Sequence, residues 1–106
     1  MSNTTDIRTG RHVVYNLHAH LVFVTKYRNA VFTKTMLSRL KPIFEKVCSS
    51  FECELIEYDG ESDHVHLMVH YPPKISLSKL VNSLKGVSSR YIRSEFHDEV
   101  QKLFWK

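Results

Sequence analysis

Glu61-Ser62-Asp63-His64-Val65-His66-Leu67-Met68-Val69-His70-Tyr71 is the stretch that decides the architecture. From His64 to Tyr71 it alternates: Val65 points into one layer and His64, His66 and His70 into the other, as expected of a strand with one buried face. Leu67 and Val69 make this strand central in its sheet rather than an exposed edge, and Pro72-Pro73 stops it. On its N-terminal side, Glu52 to Tyr58 alternates around Cys53, Leu55, Ile56 and Tyr58. Asp59-Gly60 is a strong turn signal between the two runs. A pair of neighbouring strands is therefore expected, joined at or near Asp59-Gly60.

Working outward, Ser76 caps a long helix whose apolar face is Leu77, Leu80, Val81, Leu84, Val87, Tyr91 and Phe96, running to about His97. Gln101 to Lys106 is left as a short tail, and Phe104 and Trp105 in it are expected either to dock on something or to mark a natural chain that continues. Upstream, Val14 to Tyr27 reads as a long strand with Tyr15, Leu17, Ala19, Leu21, Phe23 and Thr25 on one face. Asn29-Ala30 turns the chain into Val31-Phe32. Thr33 caps a helix carrying Met36, Leu37, Leu40, Ile43, Phe44 and Val47, with Pro42 inside it. Residues 1–11 are polar and read as a flexible leader, so the expected domain spans 12–106. Strand, helix, strand, strand, helix is a ferredoxin-like α+β order, an antiparallel sheet with helices, lacking only the final strand.

Composition fits one such domain. The chain has 106 residues, 42% of them hydrophobic and 25% charged, enough for a single packed core and too few for two. Its net charge of +4 is compatible with a polyanionic partner. Cys48 and Cys53 form neither a disulfide framework nor a zinc site, and Cys48 belongs to the apolar helix face. No segment has the apolar length to span a bilayer or the form of a signal peptide, so a soluble, cytoplasmic protein without a membrane partner is expected. A Gly-rich phosphate loop, a nucleophile elbow, a Cys-x-x-Cys pair and a His-Glu-x-x-His helix are all absent from the sequence.

The chemistry concentrates on Asp63-His64-Val65-His66. Residues two apart on a strand share a face, so His64 and His66 set two imidazoles side by side, able to hold one divalent cation. Glu61 and Asp63 lie close enough to add a harder ligand or to orient a histidine through its second ring nitrogen. His-x-His also decorates polar strand faces with no metal. The acidic neighbours and apolar flanks favour the ligand reading, because a central strand is a rigid platform. His70 is too far along the strand to share an ion with His64, and His18 and His20 are expected to pack beneath a helix. Lys26-Tyr27-Arg28 combines two cations with an aromatic ring, which suits phosphate contact and base stacking, and equally suits a solvated strand end. On the second helix Asn82, Lys85, Ser89 and Arg93 form one polar stripe with Arg90 beside it, suited to phosphate. Gly86 next to it hints at close approach by another backbone or by nucleic acid.

These segments together resemble the single-tyrosine HUH transposases of small bacterial and archaeal insertion sequences, where HUH denotes His, hydrophobic, His. The resemblance rests on His12-Val13-Val14-Tyr15 through Leu21-Val22-Phe23, on Lys26-Tyr27-Arg28, on Glu61 to His66, and on Leu84-Lys85-Gly86-Val87-Ser88-Ser89-Arg90 followed by Phe96. It implies a dimeric ferredoxin-like DNA transposase that binds single-stranded DNA hairpins at element ends. Strands would be cut and rejoined through a 5′-phosphotyrosine, with His64 and His66 holding Mg²⁺ or Mn²⁺. Lys26, Tyr27, Arg28, Lys85, Ser89, Arg90 and Arg93 would contact DNA. In that family the nucleophilic tyrosine, with a glutamine that can complete the metal site, lies on a further helix. Tyr15, Tyr27, Tyr58, Tyr71 and Tyr91 do not match that place, and Tyr91 suits the apolar helix face. No catalytic residue is therefore assigned, and a truncated form is expected. The alternatives are a catalytically inactive DNA-binding ferredoxin-like module and a different metal protein.

Overall fold

Alternation between apolar and polar residues builds the sheet in the computed structural model, which describes residues 17–100 and 104–106. The elements are β1 (His18–Val24), α1 (Lys34–Ser50), β2 (Glu54–Glu61), β3 (His64–His70) and α2 (Leu77–Glu95). Both strand pairings are antiparallel and the order is β1-β3-β2, so β3 is central, as its apolar flanks predicted. Val65, Leu67 and Val69 are buried, together with Phe23 of β1. They meet Met36, Leu40, Phe44 and Val47 of α1 and Leu80, Leu84 and Ile92 of α2 in one core. Both helices begin at the expected caps: the Thr33 hydroxyl accepts from the Met36 amide and the Ser76 hydroxyl from the Lys79 amide. α1 continues through Pro42.

The helices cover the face that carries Val65 and Phe23, which leaves the opposite face bare. His18, His20, Val22 and His66 are exposed there, and His64, Met68 and His70 are half-buried on it. His18 and His20 therefore do not lie beneath a helix. The helices had to go to the side holding the larger apolar area, and in β1 that is the Phe23 side.

The turn between β2 and β3 is not at Asp59-Gly60. β2 runs through both residues to Glu61, and Ser62-Asp63 makes the turn. Gly60 has no positive φ. A Cβ there would lie 2.9 Å from Leu37 Cδ2 and 3.0 Å from Val65 Cγ1, so this glycine serves close packing under α1. A shift in register near Ile56 takes up the extra residue of β2.

β1 is shorter than the expected strand. Val14 to Asn16, like residues 1–11, lie outside the described residues, and at the other end the strand stops at Val24. Thr25 then forms a single antiparallel bridge with Trp105, and Lys26–Arg28 is a 3₁₀ turn. α2 ends at Glu95 rather than His97, with Phe96 as its cap. Phe104 and Trp105 do dock: both are buried, Trp105 packs edge-on to Phe23, and its indole N–H donates to the Ser88 hydroxyl at 3.0 Å. Residues 104–106 thus lie along the edge of β1 away from β3, where a ferredoxin-like sheet puts its last strand. They contribute one bridge there rather than a full strand.

Candidate metal and nucleic-acid site

His64 and His66 occupy the bare face of the central strand, with ring centroids 5.4 Å apart and planes inclined by 69°. β3 is paired on both sides, so the backbone beneath the two rings is fixed by two ladders. His64 has a further constraint. Its Nδ1 lies 2.8 Å from Asp63 Oδ1, and the other Asp63 oxygen lies 3.2 Å from Arg28 Nε. The hydrogen bond with His64 and, secondarily, the Arg28 charge hold the Asp63 carboxyl below its usual range. Both Asp63 oxygens are therefore engaged, and Nε2 is the His64 nitrogen left to bind a ligand.

Two imidazoles on a rigid strand fit a divalent cation that keeps several positions for water or phosphate oxygen. Among the described residues, no group of three or more His, Cys, Asp or Glu is placed to hold a metal ion. Glu61 pairs in register with His64 and is exposed, and Asp59 pairs with His66. Asp59 and Glu57 line a recess together with His20, Ile56, His66 and Met68 of the sheet and Lys41 of α1. Sequence reasoning missed Asp59 and Glu57 because the turn was expected at Asp59-Gly60. With the turn at Ser62-Asp63, counting back along β2 brings Asp59 opposite His66. His18 and His70 stack at 4.9 Å, facing each other across the β1–β3 ladder at its far end.

The basic residues divide into separate groups. Lys26, Tyr27 and Arg28 form a turn at the His64 end of the sheet, since the Thr25 amide donates to the Asp63 carbonyl at 3.0 Å. Tyr27 is 90% exposed, and Tyr27 and Arg28 have φ of 57° and 56°, in the left-handed region. On α2 the expected stripe comes apart. Ser89 is buried and its hydroxyl has no partner among the described residues, and the Arg93 Nε donates to the Ser89 carbonyl at 3.3 Å. Lys85 lies over the Phe23 ring, its ammonium 3.4 Å from the Lys106 carbonyl. Arg90 instead faces a groove between the helices, with Arg39, Lys46 and Tyr91. Tyr91 is 44% exposed there and is not core, and Arg39 reaches over it while pairing with Glu95 at 2.8 Å. A Cβ on Gly86 would meet only the Arg90 guanidinium at 3.9 Å, so nothing within the described chain requires glycine.

The fold and site define an α+β domain with a His-x-His pair on the bare face of a three-stranded antiparallel sheet. The family model described as "Transposase IS200 like" matches residues 13–106, and the chain belongs to that family. It is 31% identical over 93 residues to the transposase for insertion sequence element IS200 of Salmonella typhimurium, covering 88% of this chain and 61% of that protein. It is 30% identical over 99 residues to the ISDra2 transposase TnpA of Deinococcus radiodurans, covering 93% of this chain and 71% of that one. A crystal structure of a Deinococcus radiodurans protein assigned as a transposase superposes with a TM-score of 0.78 at 33% identity, over 87% of this chain and 71% of that one. The chain thus spans about three-fifths of the length of the IS200 relative.

Proposed function

We propose that the chain is the DNA-handling core of an insertion-sequence transposase that acts on single-stranded DNA hairpins with a divalent cation, Mg²⁺ or Mn²⁺. The observation that carries this reading is the His64–His66 pair, with His64 Nδ1 held by Asp63 and a basic, aromatic turn at the same end of the sheet. His64 and His66 would hold the cation, whose chemistry is to polarise a phosphodiester and stabilise charge developing on its oxygens. Lys26 and the exposed Tyr27 would receive backbone phosphate and a nucleobase beside that pair. Lys85, Arg90 and Arg93 would add phosphate contacts from α2.

Strand cleavage and rejoining through a 5′-phosphotyrosine is proposed for the whole protein, acting as a homodimer. No tyrosine of this chain is assigned as the nucleophile. Tyr58 is excluded by its position: its hydroxyl donates to the Leu37 carbonyl at 2.8 Å, and burial pushes its pKa well up. The test is incubation of the chain with a single-stranded hairpin and Mn²⁺. Expected are a retarded complex and no covalent adduct on a denaturing gel, with Mn²⁺ affinity lost in His64→Ala and His66→Ala. Unaltered Mn²⁺ affinity in both variants would remove the metal site. A second reading, a metal-independent DNA-binding module, draws on the lack of a third ligand among the described residues. It requires hairpin binding that is indifferent to the cation.

A further inference from the structure

We infer that the segment from Thr25 to Phe32 is a positioning device for His64, acting through Arg28 and Asp63, a role that rests on the metal-site reading above. The segment wraps the Ser62-Asp63 turn that delivers His64. The Val31 and Phe32 amides both donate to the Ser62 carbonyl, at 2.8 and 2.9 Å, and the Thr25 amide donates to the Asp63 carbonyl at 3.0 Å. The buried Thr25 hydroxyl lies 3.2 Å from that same carbonyl and 2.7 Å from the Asn29 carbonyl. Backbone on both sides of the Asp63 side chain is thereby fixed before any metal binds.

The side chain is fixed as well. Asp63 divides its oxygens between Arg28 and His64, and a carboxylate facing Nδ1 selects the tautomer with the proton on Nδ1 and a lone pair on Nε2. Arg28 reaches Asp63 from a turn whose backbone is left-handed at both Tyr27 and Arg28, a conformation disfavoured for residues with a Cβ. Core packing does not explain that conformation, because no residue of the turn is buried. It persists because the Lys26 amide is tied to the Phe104 carbonyl at 2.7 Å and the Arg28 amide to the Thr25 carbonyl at 3.0 Å. Strain maintained in an exposed turn, with the Arg28 ion pair aimed at a ligand's neighbour, is the pattern of a functional constraint. Arg28 and Asp63 are positioning residues here, and the anion-binding share of the turn falls to Lys26 and to whatever donors Arg28 retains.

The test uses the ¹⁵N-labelled chain in long-range ¹H–¹⁵N spectra without metal at neutral pH, followed by Mn²⁺ affinity from electron paramagnetic resonance. Expected is a single Nδ1-protonated tautomer for His64, giving way to a mixture in Asp63→Ala and partly in Arg28→Ala. Mn²⁺ affinity should fall about 10- to 100-fold in Asp63→Ala and less in Arg28→Ala, with Arg28→Lys recovering part of the loss. Asp63→Asn preserves the shape of the turn and should fall between wild type and Asp63→Ala, which separates positioning from misfolding. An Nε2-protonated His64 in the wild type, or one unchanged in Asp63→Ala and Asp63→Asn, overturns the inference. So does unchanged Mn²⁺ affinity in both Asp63 variants when His66→Ala loses it. If His66→Ala leaves Mn²⁺ affinity intact, the metal reading fails, and the metal-free tautomer still decides whether Arg28 and Asp63 position His64.

Discussion

Gly60 and Gly86 differ in what surrounds the missing Cβ, and they predict opposite outcomes for the same substitution. Gly60→Ala drives a methyl to within 3.2 Å of the His64 carbonyl oxygen, besides its clashes with Leu37 and Val65. It should destabilise the fold by about 1–3 kcal/mol and weaken Mn²⁺ binding, read by urea unfolding and by metal titration. Gly86→Ala meets ordinary contact alone and should stabilise by about 0.5–1 kcal/mol. If Gly86→Ala nevertheless weakens hairpin binding, the glycine is there for an external backbone. Burial raises both thiols, Cys48 to about 12. A raised thiol contributes stability that is intact below its unfolded value near 9 and declines as pH rises from there toward 12. A thiol reagent at pH 8 should therefore spare Cys48 in the native chain and label it in urea. At this scale His64 and His66 were legible, because period two alone puts them on one face. The partner of Asp63 was not, because Arg28 is 35 residues away in sequence and reaches it through left-handed backbone that no local signal announces.

Among the elements, the strands and helices follow from periodicity and their boundaries do not. Thr33 and Ser76 were readable as caps because a hydroxyl three residues ahead of a free amide satisfies a local need. The β2–β3 turn was misplaced because Asp-Gly is a local preference. Cross-strand pairing of Asp59 with His66 and Gly60 with Val65 outweighs it once α1 covers the strand. On α2 the polar stripe was drawn from helical spacing alone. Trp105 lies against Ser88 on a side of the helix that faces inward, Ser89 beside it is buried as well, and Lys85 and Arg90, five positions apart, fall on different faces of the helix. Ser88→Ala removes the hydroxyl that accepts from a buried indole N–H and should cost about 1–3 kcal/mol, measured as a lower urea midpoint. Trp105→Ala should cost more, about 3–5 kcal/mol, since it also vacates the contacts with Phe23, Phe32 and Phe104.

For the whole molecule the fold class was legible from element order, while the side on which the helices pack needed the balance of apolar area in β1. The cations expected to meet DNA lie on separate surfaces: the turn at the His64 end, the β1 edge at Lys85 and the groove at Arg90. Hairpin affinity should therefore fall with salt. Neutralising Lys26, Lys85 or Arg90 should each lower the slope of log K against log salt by roughly 0.7 if that residue meets a phosphate, and leave it unchanged if not. A variant series read this way maps which surfaces the nucleic acid covers. The central place of β3 bears on lifetime as well as geometry. A strand laddered on both sides opens only when the whole sheet does, whereas the β1 edge at Trp105 can fray on its own. Backbone amides across Val65 to Val69 should exchange with deuterium at the rate of global unfolding, orders of magnitude behind those of residues 104–106. The two imidazoles would then persist for as long as the native state itself, outlasting any loosening of the peripheral strand.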